Sequence, residues 1–94
     1  MLLIGAVPAL AQTVCTEPAP PAAVDGTQVS ADQLRAAMAQ ARDFIAQAGI
    51  YQTCLQQSGD ADSGARIAAS RKSQDRVGQS INAALDTYKR AHSN

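Results

Sequence analysis

From Ser30 to Leu55 the apolar positions return at helical spacing. Leu34, Ala41, Ala48 and Leu55 recur every seven residues, and Ala37, Met38, Phe44, Ile45 and Tyr51 fill the row between them. This three-to-four spacing lays one apolar stripe along a helix, and the two-residue alternation of a strand is absent. Ser30 stands at the N-cap position with Gln33 three residues on, the signature of a capping box. Asp32 falls in the first turn, where the helix dipole favours negative charge. The alanine-rich run supports the helix and lets a partner approach closely. Gly49 is its weak point, read as a hinge or, more simply, as close packing or tolerance.

A second periodic stretch spans residues 64–91. Ile67, Gln74, Ile81 and Tyr88 hold one heptad row, and Ser70, Val77, Ala84 and Ala91 hold the next, widened by Leu85. Between the two stretches lies QQSGDADS, where Gly59 is a natural helix stop and Asp62 or Ser63 a natural N-cap. Helices of about 30–57 and 63–91 joined by a short polar turn predict an antiparallel hairpin in residues 30–94. The run Arg71–Arg76 is polar nearly all round and puts Gln74 on the apolar face. The hairpin is therefore expected to be weakly held there, with the preceding arm or a partner covering it. Gly78 weakens the same region.

Residues 12–29 hold Pro18, Pro20 and Pro21 and favour an extended course, broken by a turn at Asp25-Gly26. The cysteines are Cys15, at the start of this arm, and Cys54, near the end of the first helix. Fifteen residues separate Cys15 from Ser30, about 46 Å at an extended rise of ~3.1 Å each. The twenty-four residues from Ser30 to Cys54 span about 36 Å of helix. The arm can thus run back along the helix and pair the cysteines. A redox-active or metal-binding pair is the competing reading, but CxxC spacing is absent and His92 is the only histidine.

Residues 1–11, MLLIGAVPALA, form an uncharged apolar run closing on Ala9-Leu10-Ala11. This matches the apolar segment and cleavage site of a secretory signal peptide. The basic residues that usually open one are missing, so a start upstream of Met1 is expected. Eleven apolar residues are too few for a membrane span, and none is expected after signal cleavage. Gln12, Thr13 and Val14 do not suit a lipidated Cys15. The apolar leader predicts a periplasmic or secreted protein, and in such an oxidising compartment its two cysteines are expected to pair.

Composition narrows the function. With one Phe, two Tyr and no Trp, the chain has little aromatic surface for stacking on a base or sugar. The eight basic and eight acidic residues balance overall, but not along the chain. From residue 63 onward six basic residues face only Asp75 and Asp86, a net of +4, leaving −4 for the remainder. This reads as an ordinary solvated helix face, or as a surface for an acidic partner or anionic lipid. No dense Lys/Arg cluster points to nucleic acid. Twelve large apolar residues from Leu34 on, Ile45 and Ile50 among them, are few for ordering sixty residues, so a staple, a partner or self-association is expected.

The catalytic signatures are absent: no glycine-rich phosphate loop, GxSxG, HExxH or SxxK. Asp60-Ala61-Asp62 hints at a calcium loop, but the position for its bidentate glutamate is Arg71. His92 reads as a solvated terminal side chain. Tyr51 and Tyr88 read as core residues with rim hydroxyls. No cofactor, metal or catalytic residue is assigned. Arg71, Lys72, Gln74 and Arg76 form a candidate partner surface.

The cysteine and Pro-rich arm over Cys15–Val29, the Y-x-x-C of Tyr51–Cys54 and the NAALDTYKRAH ending within Val77–His92 resemble small exported α-helical proteins of Gram-negative bacteria. That family has no assigned activity, so the resemblance implies architecture and compartment only. The turn near Gly59 is shorter than its pattern. The sequence thus predicts an all-α, disulfide-pinned hairpin acting without catalysis, as an interaction or structural module binding a periplasmic protein or itself. The alternative is a small stress chaperone or an inhibitor of a secreted enzyme.

Overall fold

A computed structural model describes residues 14–93. The expected leader, residues 1–11, lies outside them. The described chain is all-helical, with α1 at Ala31–Ser58 and α2 at Ser63–Ala91.

Local chemistry fixes the ends of α1. Ser30 Oγ accepts from the Gln33 N–H at 3.1 Å, and the Ser30 N–H donates to Gln33 Oε1 at 2.8 Å. The expected capping box is therefore complete and satisfies two donors that the first turn leaves open. At the other end Gly59 takes the left-handed conformation, φ 71°, that a side chain would resist. Asp62 starts α2 without a side-chain cap bond. Ser63 is buried instead, its hydroxyl 3.1 Å from that of Ser58 across the turn.

The helices pack antiparallel. Leaving the turn, Ser58 meets Ser63, Gln52 meets Ser70 and Ile45 meets Gln74, so each step back along α1 is matched by a step forward along α2. On α1 the heptad row Leu34, Ala41, Ala48 and Leu55 is buried, with Phe44 and Tyr51 beside it; Leu55 is 1 % and Ala48 0 % exposed. The fully buried row of α2 is Ser63, Ser70 and Ala84, with Val77 half-buried in the same register. The larger row Ile67, Gln74, Ile81 and Tyr88 is half-buried at the edge. Small side chains on α2 thus receive the larger ones of α1, the size alternation that lets facing layers interdigitate.

Two apolar residues counted for the core stand outside it. Ile50 is 62 % and Ile45 38 % exposed. Ile50 lies about 200° around the helix from Ala48 at ~100° per residue, which takes it off the seam.

The arm runs back along the hairpin as expected. Cys15 is bonded to Cys54, with their Cα atoms 5.6 Å apart. Pro18, Ala19 and Pro21 then pass Gln40, Asp43, Phe44 and Gln47 of α1. At residues 25–29 the arm turns into α1. The Asp25 carbonyl accepts from the N–H groups of Gln28 and Val29 at 2.9 and 3.2 Å. Its carboxylate accepts from the Thr27 N–H at 2.9 Å and the Thr27 hydroxyl at 2.7 Å. These bonds, the backbone one first, hold the Asp25 carboxyl below its ordinary range.

Neither Gly49 nor Gly78 is required by packing. A Cβ at either position meets nothing within 4 Å. Gly49→Ala and Gly78→Ala are each expected to stabilise the protein by up to ~1 kcal/mol through helix propensity alone. Urea denaturation of the two variants measures it, and a destabilised G49A would restore the close-packing reading.

Candidate functional site

Three places on the hairpin carry polar or accessible groups that the helical framework positions. The first is a ladder across the seam. Gln52 Nε2 donates to Ser70 Oγ and to Gln74 Oε1, both at 3.0 Å, and Gln74 Nε2 donates to the Ile45 carbonyl at 2.9 Å. Gln74 is therefore held inward by the hairpin itself, where its heptad position had placed it. Its partner Gln52 gives no periodic signal, because it lies one residue off the apolar row. Amides in this position fix the helices' register more than they add net stability. Gln74→Ala is expected to cost about 1–2 kcal/mol, because the Gln52 amide and the Ile45 carbonyl lose a partner. Thermal melts of Q52A, Q74A and Q52A/Q74A measure it. If the double variant costs as much as the two singles summed, the ladder is not a unit.

Nearer the turn, Tyr51 is 3 % exposed, yet its hydroxyl accepts from Arg66 Nε at 3.2 Å. The Arg66 guanidinium lies 5.7 Å from the Tyr51 ring centroid. The hydroxyl bond, outweighing a smaller opposing effect of burial, strengthens the hold of Arg66 on its proton. The ring thus fills the core while its polar tip reaches the rim. Tyr88, half-buried, instead stacks on His92 with centroids 4.0 Å apart, and His92 Nδ1 lies 2.9 Å from the Tyr88 carbonyl.

The second place is the basic edge. Arg71, Lys72 and Arg76 are exposed. Among the described residues the ion pairs are Arg35–Asp32 and Arg66–Asp62, so these three cations have no carboxylate partner there. Of the four residues read as a partner surface, three face solvent and Gln74 is turned to the seam.

The third place was not visible in the sequence. Between the arm and the open half of the hairpin lies a cleft of about 250 Å³. Pro20–Val24 form one wall, Ala37 and Ala41 the second, and Ser73, Arg76, Val77, Ser80 and Ile81 the third. It exists because an extended chain with small side chains cannot fill the wedge left between two helices whose facing residues are alanines and serines. The described residues contain no group of three or more His, Cys, Asp or Glu side chains able to hold a metal ion. No helix among them is long and apolar enough to cross a membrane.

The fold and these surfaces define a disulfide-stapled helical hairpin with a docked arm. Comparison with protein-family models, curated proteins and solved structures finds no match to this chain.

Proposed function

We propose that this protein is exported and acts without catalysis, as an interaction or structural module that binds another periplasmic protein or a second copy of itself. The observation that supports the export part of this reading is the Cys15–Cys54 bond. Such bonds form and persist in oxidising compartments. The apolar run of residues 1–11, ending in Ala9-Leu10-Ala11, supports export. The exposed basic edge of Arg71, Lys72 and Arg76 suits an acidic partner surface.

Intact mass of the protein recovered from the periplasm of a Gram-negative host, before and after reduction and alkylation, tests the compartment. A chain beginning at Gln12 whose thiols alkylate only after reduction supports it; a full-length chain with free thiols overturns it. Crosslinking in whole cells tests the interaction, and a monomer with no recovered partner counts against it. The exposed Ile45 and Ile50 favour a second reading, a small stress chaperone or an inhibitor of a secreted enzyme. Failure both to suppress client aggregation and to inhibit hydrolases would remove it.

A further inference from the structure

We infer that the cleft between the arm, α1 and α2 is a binding site for a small monocarboxylate with a compact alkyl body. The body of the cleft is apolar: Pro21 and Val24 from the arm, Ala37 and Ala41 from α1, Val77 and Ile81 from α2. Its polar side chains all come from one helix. Ser73, Arg76 and Ser80 follow one another at helical spacing on α2, so two hydroxyls flank one guanidinium.

The charge in the cleft has one sign. Among the described residues no acidic side chain lines it, and Arg76 makes no ion pair. A guanidinium presents a planar fork that matches a carboxylate, and the serine hydroxyls can donate to the same oxygens. An apolar hollow with a few convergent polar groups at one edge is the ordinary form of a small-molecule site. No aromatic ring lines it, so the walls offer alkyl contact rather than stacking. The volume sets the size. A cavity of about 150 Å³ holds benzene, so about 250 Å³ holds about ten non-hydrogen atoms. Octanoate has that size and that chemistry.

The test uses the full oxidised chain and follows the methyl resonances of Val24, Val77 and Ile81 during titration with octanoate up to about 10 mM. Saturable shifts at all three are expected, one from each of the arm and two positions on α2. Because Arg76 is exposed, its pairing is screened, so Arg76→Gln is expected to weaken octanoate binding only about fivefold. 1-Octanol, which lacks the charge, is expected to bind the wild-type protein about fivefold more weakly than octanoate and to be indifferent to R76Q. Ala37→Leu fills the cleft and is expected to weaken both ligands more than tenfold while circular dichroism shows the helices intact. Absence of saturable shifts at the three methyls, or shifts centred on Ile50 instead, overturns the site. Equal binding of octanoate and octanol, unaffected by R76Q, overturns the carboxylate assignment. R76Q changes an exposed side chain, so it keeps the proposal falsifiable if A37L does not fold. The reading of the protein as an exported interaction module does not enter these outcomes.

Discussion

Replacing Cys15 and Cys54 together by serine lowers the thermal midpoint by about 20 °C. The bond joins residues 39 apart in sequence. Closing a loop of that length removes about 4 kcal/mol of chain entropy from the unfolded state. In a domain of this size each kcal/mol moves the midpoint by about 4–8 °C. The effect is large relative to what else holds the arm. Residues 14–25 have no regular secondary structure, and their contacts to the helices are made by prolines, alanines and Val24. Melting followed by circular dichroism, on C15S/C54S and on the wild-type protein with and without reductant, reads the loss directly. Amide exchange over Thr27–Val29 should accelerate in the same samples, since the turn is the arm's last attachment to α2. A drop below about 5 °C would show that the arm docks by packing alone.

Gly26→Ala costs about 3 kcal/mol, the upper end for overpacking. Gly26 is buried, and its backbone φ is not in the left-handed range, so close approach and not chain direction demands glycine there. A Cβ would stand 2.2 Å from the Ala84 carbonyl oxygen, 2.8 Å from the Tyr88 nitrogen and 2.9 Å from Thr87 Cβ. Two of these three atoms belong to the backbone of α2 and cannot rotate away. The turn must lift, and with it the far end of the cleft opens. Urea unfolding of G26A measures the cost. The same substitution in C15S/C54S should cost much less, because an untethered arm leaves the groove without breaking the hairpin. The double-mutant cycle therefore shows strong coupling between two sites at opposite ends of the arm. Equal costs in both backgrounds would mean that Gly26 is held by the turn alone.

The hairpin was legible wherever a local rule decided it. The row Leu34, Ala41, Ala48 and Leu55 announces a buried face by spacing, Ser30 and Gln33 announce a helix start, and Gly59 announces a stop. The Cys15–Cys54 bond followed from comparing the reach of the arm with the length of α1. What stayed hidden depends on distance between elements. Asp25-Gly26 reads as a turn, but nothing in the chain says that Gly26 touches the backbone at Ala84. Gln74 carried a signal, a polar group on an apolar row, yet its partners Gln52 and the Ile45 carbonyl come from a helix more than twenty residues away. The seam of α2 was legible only in part, because its two heptad rows differ little in hydrophobicity, and the smaller side chains proved to face inward. The cleft lies between three segments, so no single periodicity could register it.

The disulfide also divides the molecule topologically. Peptide bonds join the arm to α1, and the sulfur atoms join the far ends of both, so residues 15–54 form a covalent ring. α2 hangs from that ring as a single tail through Gly59–Asp62. A tensile load applied between Cys15 and the C-terminal end crosses from Cys15 to Cys54 through two sulfur atoms and then enters the turn. The peptide path of the ring between the two cysteines carries none of it, and the last turn of α1 and α2 are peeled apart. One cut within the ring leaves a single covalent molecule until the bond is reduced, whereas one cut in the turn leaves α2 held by non-covalent contacts alone.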